Sequence, residues 1–233
     1  MKLLIITGGS GGIGGACAAM FLASGWRVIN ISRRVAQVSG VHNLQCDIAQ
    51  PGFTAALGPQ LIPDLTTATQ ICLLHNAALL ENDRTGSLDD AAFRRILEIN
   101  LVAPNALNSL VLPYMKPGSS IIYVGSTLSE KAVPNSLSYV TSKHGLMGMM
   151  RATTQDLIGR DIHTALVCPG FTDTQMLRTH VGDSAAALRS IAGLSTFGRL
   201  ISSDEIAATV HFVAGNPVLN GAVIHANLGQ IEH

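Results

Sequence analysis

Short apolar runs alternate with longer segments of helical periodicity along the chain. The runs are rich in β-branched residues, apolar at successive positions and bounded by Gly, Pro, Asn or Asp, which is typical of parallel strands covered on both faces. They lie at Lys2–Thr7, Arg27–Ser32, Val41–Cys46, Gln70–His75, Ser120–Gly125, His163–Cys168 and Ala222–Ala226. Between them, apolar residues recur at helical spacing in Ile13–Ser24, Phe53–Ile62, Asp89–Met115, Leu137–Ile158 and Ser203–Ala214.

This order of elements predicts one α/β domain that spans residues 1–233. Strands that alternate with helices form a doubly wound, mostly parallel sheet, here of seven strands, with helices on both faces in a Rossmann-type arrangement. Neither a linker nor an internal repeat interrupts the pattern. Ligands of such sheets bind at the carboxyl ends of the strands, and we expect the functional residues at that edge.

The composition is that of a protein with a large buried core. Hydrophobic residues make up 47% of the 233 positions and charged residues 13%, which is about half the usual ~25%. Lys and Arg number 15, as do Asp and Glu, so the net charge is zero. A nucleic-acid-binding protein would carry a basic patch, and a disordered chain would lack the apolar residues. We therefore expect neither a nucleic-acid partner nor general disorder.

The cysteines and the start of the chain favour a reduced, cytoplasmic protein that does not enter a membrane. The four cysteines form no Cys-x-x-Cys pair and resemble small buried hydrophobic residues, so no disulfide is expected. The apolar run that begins at Leu3 ends at Ile6, whereas a signal peptide needs ~7–15 apolar residues and a membrane span ~20. The eight histidines show no metal-ligand spacing, and no metal site is predicted.

A glycine-rich turn follows the first predicted strand and opens the first predicted helix. Gly8 permits a tight turn, Gly12 lets the backbone approach a pyrophosphate, and Gly14 allows the helix to pack closely on the strand. The amides and positive partial charge of the helix N-terminus favour a bound phosphate. In this strand–turn–helix context the glycines predict dinucleotide binding.

Two other motifs overlap the same residues. A phosphate-binding P-loop requires Gly-Lys-Ser/Thr, and no lysine is present here. The run Gly8–Gly12 also matches the Gly-x-Ser-x-Gly turn of serine hydrolases, with Ser10 as nucleophile. That turn takes an oxyanion-hole donor from an earlier strand loop, and only nine residues precede Ser10, so the hydrolase is the weaker hypothesis.

A second motif pairs Tyr139 with Lys143 four residues later, on one face of a predicted helix. A free tyrosine has a pKa of ~10 and is a poor acid–base group at neutral pH, but a nearby cation favours its ionised form. Thirteen residues upstream, Ser126 follows a predicted strand and places a hydroxyl at the ligand-binding edge. The three side chains together are a candidate catalytic group.

With these motifs the chain resembles the short-chain dehydrogenase/reductase family, including its compact β-ketoacyl-carrier reductase-like members, over nearly its whole length. The resemblance extends to an acidic residue after the third strand, an Asn-Ala pair after the fourth, a helix asparagine, and a Pro-Gly after the sixth. These correspond to Asp47-Ile48, Asn76-Ala77, Asn100 and Pro169-Gly170, with Thr174 beyond. His75, Ala78 and the ending Asn227–Gln230 depart from the family pattern.

The resemblance implies an oxidoreductase that transfers a hydride between a nicotinamide cofactor and a carbonyl or secondary alcohol. In the implied mechanism, Tyr139 is the general acid or base, Lys143 lowers the pKa of Tyr139 and holds the nicotinamide ribose, and Ser126 polarises the substrate carbonyl. Asn100 positions a water that links Lys143 to solvent. The implied cofactor-binding residues are Gly8, Ser10, Gly12, Ile13, Gly14, Ser32, Arg33, Asp47, Ile48, Asn76, Ala77, Tyr139, Lys143, Pro169, Gly170, Thr172 and Thr174.

The end of the second predicted strand bears on the choice between NADP and NAD. An acidic residue ~20 positions beyond the glycines binds the ribose hydroxyls of NAD in this fold. Ser32 stands eighteen positions after Gly14, and it can donate a hydrogen bond to a 2′-phosphate that a carboxylate would repel. Arg33 and Arg34 follow it, and arginine suits phosphate oxygens. We expect NADP, with NAD as the alternative, although the glycine turn lacks the basic residue of many NADP-dependent relatives.

Three further expectations concern substrate, lid and assembly. A substrate lid is predicted at about residues 171–197, and its apolar residues favour a neutral ketone or alcohol, or an acyl thioester. The related proteins are most often homotetramers, otherwise dimers, and the apolar excess of the two long helices favours such an oligomer. That excess is represented by Leu107, Leu110, Leu146, Met147, Met149 and Met150. The alternative function is a non-catalytic dinucleotide sensor or scaffold, which would need only the glycine turn.

Overall fold

The computed structural model describes residues 1–231 and confirms the predicted α/β architecture. The strands are β1 (Lys2–Thr7), β2 (Arg27–Ser32), β3 (His42–Gln45), β4 (Gln70–His75), β5 (Ser120–Val124), β6 (His163–Pro169) and β7 (Ala222–Ala226). They form one sheet in the order β3-β2-β1-β4-β5-β6-β7, and every adjacent pair is parallel. The order reverses between β1 and β4, where an open parallel sheet leaves a crevice at its carboxyl edge.

Helices cover both faces of the sheet. They are α1 (Gly12–Ala23), α2 (Phe53–Thr67), α3 (Asp90–Leu97), α4 (Ala103–Val111), α5 (Leu137–Asp156), α6 (Gln175–Val181), α7 (Ala185–Ala192) and α8 (Ser203–Ala214). One core layer lies between the sheet and α2, α4 and α5, and the other between the sheet and α1 and α8. Strand residues such as Leu3 and Leu4 alternate between these layers, because successive side chains of a strand point to opposite faces.

The long helix predicted over Asp89–Met115 is interrupted. Between α3 and α4 the chain makes a π-helical turn, Glu98–Val102, and after α4 it tightens into a 3₁₀ turn, Leu112–Tyr114. Taken as one stretch, Asp90–Tyr114 is long and apolar enough to cross a membrane by length and composition alone. Ile96, Leu107 and Val111 in this stretch are fully buried in the core, so packing on the sheet accounts for part of this hydropathy.

The same packing corrects the argument made above for an oligomer. Leu107, Leu146 and Met150 are buried in the core and therefore do not form an apolar surface. Leu110, Met147 and Met149 are only partly buried against that core. Strongly exposed apolar side chains lie elsewhere, at Ile158, Phe197, Phe212 and Val218.

The predicted lid segment, residues 171–197, is helical where the sequence analysis assigned no helix. It contains α6 and α7, each begun by a hydroxyl side chain: Thr174 accepts from the amide of Leu177, and Ser184 from that of Ala187. The start of the segment is held by Ile201, four residues beyond its end, which donates to the carbonyl of Phe171 at 2.9 Å, and Thr196 donates to the carbonyl of Gly229 at 3.0 Å. The segment is thus a helical loop closed at its base.

Candidate active site

The glycine turn after β1 has the backbone that the sequence predicts. Gly8 and Gly12 have φ values of +71° and +53°, a region that residues with a side chain rarely adopt. A Cβ at Gly14 would lie 2.2 Å from the carbonyl oxygen of Gly8 and 2.5 Å from the Asn76 side chain. The turn therefore leaves no room for a side chain at Gly14, and α1 begins within the turn at Gly12.

Hydrogen bonds fix this turn to the end of β4. The Asn76 amide group donates to the carbonyls of Thr7 and Gly8, at 3.0 and 3.1 Å. The Thr7 hydroxyl accepts from the backbone amides of Asn76 and Ala77, at 3.1 and 3.0 Å. Asn76 and Ala77 thus form one wall of the turn, at the place where the strand order reverses.

A cavity of about 480 Å³ opens at this carboxyl edge of the sheet. Every predicted site residue except Asn100 lines it, from the glycine turn and Ser32–Arg33 at one end to Thr174 and the lid at the other. The candidate catalytic group and the glycine turn, separated by more than a hundred residues in sequence, therefore share one cavity.

The dinucleotide implied by the family resemblance fits this cavity. Its floor is bare backbone at the glycine turn, and a Cβ at Gly12 would extend to 3.3 Å from the Thr174 side chain, across the space that a pyrophosphate needs. The amides at the start of α1 supply donors. Among residues 1–231, no group of three or more His, Cys, Asp or Glu side chains could hold a metal ion.

Ser126, Tyr139 and Lys143 meet at the centre of the cavity. Ser126 follows β5 and caps a 3₁₀ turn, Thr127–Ser129, because its hydroxyl accepts from the amide of Leu128 at 3.1 Å. Tyr139 and Lys143 lie one turn apart on α5, with the Lys143 ammonium 5.4 Å from the centre of the tyrosine ring. The ammonium donates to the carbonyl of Val124 at 2.8 Å, which fixes it against the end of β5.

Burial has the largest effect on the pKa values of the two ionisable α5 side chains, Tyr139 and Lys143. It raises the pKa of Tyr139 to about 12, while a hydrogen bond with the Ser126 side chain acts in the opposite direction. It lowers the pKa of Lys143 to about 8. The lowered tyrosine pKa implied by the resemblance is thus not seen in this chain, because desolvation of the phenolate outweighs the other effects. At neutral pH Tyr139 is a phenol, able to donate a proton.

Asn100 lies behind the cavity, in the π-helical turn between α3 and α4. Its side chain accepts from the amide of Leu79 at 2.8 Å and donates to the Leu79 carbonyl at 3.0 Å and to the Ser142 hydroxyl at 2.9 Å. It therefore joins the loop after β4 to α5. A π-helical turn within a longer helix is frequent at functional sites, and this turn carries Asn100.

At the end of β2, the structure assigns Ser32 a different role from the one predicted. Its hydroxyl donates to the carbonyl of Arg34 and accepts from Asn30 at 3.1 Å, so its proton is already used. Asn30 in turn accepts from the amide of Gly9 at 2.8 Å. The side chains of Arg33 and Arg34 line the cavity and form no hydrogen bond or ion pair with other residues of the described chain, 1–231. A phosphate at this end would contact the arginines and not the Ser32 proton.

His75, which departs from the family pattern, packs in the core and does not line the cavity. The imidazole Nε2 donates to the side-chain oxygen of Asn108 at 2.8 Å, and the ring stacks on Tyr123 with ring centres 4.9 Å apart. Burial lowers its pKa to about 4, so it is neutral at physiological pH. Ala78, the other departure after β4, lines the cavity.

Several cavity residues were missed by the sequence reasoning. They belong to α3, the lid and the chain end, and the most polar of them are Arg95, Gln175, His180 and Gln230. None is part of a local motif. Only the helical spacing of the predicted helix Asp89–Met115 could have placed Arg95 one turn before Ile99.

Comparisons with known proteins agree with this geometry. The family model described as short chain dehydrogenase matches residues 2–184. Carbonyl reductase family member 4 of Xenopus laevis is 30% identical over 245 residues, which cover 100% of this chain and 99% of the relative. The 3-oxoacyl-[acyl-carrier-protein] reductase FabG of Salmonella typhimurium is 26% identical over 241 residues, 98% of this chain and 97% of the relative.

Solved structures share the fold over nearly the whole chain. The ligand-free aldohexose dehydrogenase of Thermoplasma acidophilum matches with a TM-score of 0.91 at 24% identity, over 98% of this chain and 93% of that chain. Other solved structures of the same fold hold NADH in one case and NADP in another.

Proposed function

Because the chain belongs to the short-chain dehydrogenase family, we propose that it is an oxidoreductase that acts on a carbonyl or secondary alcohol with a nicotinamide cofactor. The observation that carries the proposal is the meeting of Ser126, Tyr139 and Lys143 in the same cavity as the glycine turn. A sensor of the same fold would need the turn alone. When bound, the cofactor supplies or accepts the hydride.

The chain's own residues handle the proton and the substrate oxygen. Tyr139, a phenol at neutral pH, donates its proton to the oxygen during reduction and removes it during oxidation. Ser126 holds the same oxygen by a hydrogen bond. The Val124 carbonyl fixes the Lys143 ammonium close to the ring of Tyr139. When Lys143 is charged, its ammonium favours the phenolate form of Tyr139. Lys143 also holds the nicotinamide ribose.

The substrate side of the cavity is mainly apolar. Its wall comes from the loop after β4, the loop after β5 and the lid, and includes Leu80, Leu128, Val133, Phe171, Met176, Leu177 and Val181. A neutral ketone or alcohol, or an acyl thioester, matches this surface. Two of the relatives are named carbonyl reductase and 3-oxoacyl-carrier reductase, which agrees with that choice.

The experiment that tests the proposal is a panel of ketones, secondary alcohols and 3-oxoacyl thioesters, followed by NAD(P)H absorbance. We expect turnover with at least one apolar carbonyl. Cofactor binding measured by calorimetry, with no turnover across the panel, would favour the sensor and contradict the oxidoreductase.

We further propose NADP as the preferred cofactor. The support is local: the end of β2 carries no carboxylate to repel a 2′-phosphate, and the unpaired guanidinium groups of Arg33 and Arg34 line that end of the cavity. Arg95 on α3 adds a third exposed cation to the same cavity. Arginine binds phosphate oxygens through paired hydrogen bonds.

We propose that α6 and α7 form a substrate lid that is more mobile without cofactor. The base of the segment is pinned by the bonds between Phe171, Asp173 and Ile201, whereas α6 and α7 contain no fully buried residue. Lids of this kind close to exclude water. Trypsin cleavage at Arg189 is therefore expected to slow when cofactor is added, relative to cleavage at the exposed Arg84. Equal cleavage at Arg189 with and without cofactor would contradict a lid.

We propose that the protein is a homo-oligomer, a tetramer or else a dimer. The surface that supports this is the edge of the sheet at β7, beside which no further strand lies among residues 1–231. Phe212 on α8 and Val218, just before β7, are 61% and 89% exposed. Unpaired strand edges and apolar surface both favour association. Light scattering at micromolar concentration is expected to give a multiple of 24.4 kDa, and a 24.4 kDa particle would contradict this.

A further inference from the structure

The helix that carries Tyr139 has no N-terminal cap of its own. Its first amides have no partner within the helix, as at every helix start. Ser136 occupies the N-cap position, but its side chain makes no capping hydrogen bond, and the first turn contains no acidic residue. The helix therefore depends on another part of the chain for these bonds.

Asp83, in the loop after β4, supplies them. Its backbone carbonyl accepts from the amide of Leu137 at 3.4 Å, and one carboxylate oxygen accepts from the amide of Ser138 at 2.9 Å. The other carboxylate oxygen accepts from the Ser138 hydroxyl. The amide of Asp83 donates to the carbonyl of Asn135 at 3.1 Å, so the two segments are also paired through their backbones.

The capped residue is the immediate neighbour of Tyr139. Catalytic groups must lie within about 0.5 Å of their productive position, and a displacement of about 1 Å can cost 10²-fold in rate. Further along α5, Ser142 is bonded to Asn100 and Lys143 to the Val124 carbonyl. These bonds hold the second turn of the helix, whereas Asp83 holds the first turn, where Tyr139 lies.

We propose that Asp83 is a positioning residue that sets the place of the Tyr139 hydroxyl by capping α5 from a separate loop. The inference rests on the proposed function and deepens it. A carboxylate at this point also complements the positive partial charge of the helix N-terminus. The same loop carries Leu79 and Leu80, which line the cavity, so Asp83 joins the cavity wall to the catalytic helix.

The test compares Asp83→Ala with Asp89→Ala. Asp89 also caps a helix, since its carboxylate accepts from the amide of Ala92 at 3.1 Å, but that helix is α3. In Asp83→Ala, kcat is expected to fall about 10- to 100-fold with the cofactor Kd changed less than twofold. Hydrogen exchange of residues 137–142 is expected to become faster. Asp89→Ala is expected to change neither.

Two milder variants separate the effect of the capping hydrogen bonds from the effect of the carboxylate charge. In Asp83→Asn, the amide oxygen still accepts from the Ser138 amide and the NH₂ group donates to its hydroxyl, so kcat is expected to recover to within about threefold of the unmodified enzyme. Ser138→Ala removes only the hydroxyl contact, and in the Asp83→Ala background it is expected to add no further loss. If Asp83→Ala does not fold, Ser138→Ala alone carries the comparison: it is expected to lower kcat and to make exchange of residues 137–142 faster, and no change in either would overturn the proposal.

Three kinetic results would overturn the proposal. They are a kcat for Asp83→Ala within twofold of the unmodified enzyme, an equal loss in Asp89→Ala, or an Asp83→Asn variant as impaired as Asp83→Ala. If no substrate is turned over at all, the proposed function fails separately. The exchange of residues 137–142 still decides whether Asp83 holds the helix, and unchanged exchange in Asp83→Ala would overturn that as well.

Discussion

Tyr139→Phe is expected to lower kcat about 10²- to 10⁴-fold, the range that general acid–base catalysis contributes. The phenylalanine keeps the ring of a residue that is 8% exposed and lines the cavity, and it removes only the hydroxyl proposed to transfer the proton. Because the hydroxyl acts on the substrate oxygen, the Kd for the cofactor is expected to change less than threefold. Steady-state kinetics and calorimetric cofactor binding measure the two effects separately.

Tyr114→Phe is the matched control. Tyr114 lies in the 3₁₀ turn after α4, away from the cavity, so removing its hydroxyl is expected to leave kcat within twofold. A Tyr139→Phe enzyme that keeps more than a tenth of the original rate would show that another group transfers the proton.

Arg33→Ala is expected to lower kcat/KM with NADPH about ten- to a hundredfold and to change it little with NADH. A hydrogen bond to a charged group contributes ~1.5–3 kcal/mol, and each 1.4 kcal/mol corresponds to about tenfold. The guanidinium of Arg33 lines the cavity and has no partner within residues 1–231, so its removal costs no internal contact. The change should therefore report the 2′-phosphate alone.

Arg94→Ala is the control for net charge, because Arg94 is exposed on α3 but does not line the cavity. It is expected to leave the NADPH to NADH ratio unchanged. An unmodified enzyme that prefers NADH, or an Arg33→Ala variant that loses both cofactors equally, would contradict the NADP preference.

Ser32 shows which property a sequence motif predicts and which it leaves open when the side-chain hydrogen bonds are unknown. Its place at the end of β2 follows from the strand pattern and the spacing from the glycines, and the structure agrees. Its role as a phosphate donor does not follow, because the hydroxyl can equally bond to its own backbone two residues on, as it does with Arg34. Which bond forms is decided by the course of the loop.

The local sequence pattern determined those features of the protein whose residues lie close together in the chain. The alternation of apolar runs and helical spacing predicted the seven parallel strands, since a strand buried on both faces of the sheet is apolar at successive positions. The glycine turn and the Tyr139–Lys143 pair are also short-range signals, because each sets its geometry within one turn. The family resemblance joined these motifs into one site.

Tertiary structure alone decided how distant segments meet. The cap of α5 by Asp83, the bonds of Asn100 to Leu79 and Ser142, and the packing of α6 against the cavity join residues that share no periodic pattern. Burial of the assembled site then set the ionisation of Tyr139 and Lys143 against the expectation from their pairing alone. A pKa depends on the solvent that the whole fold excludes, and no spacing in the sequence records that quantity.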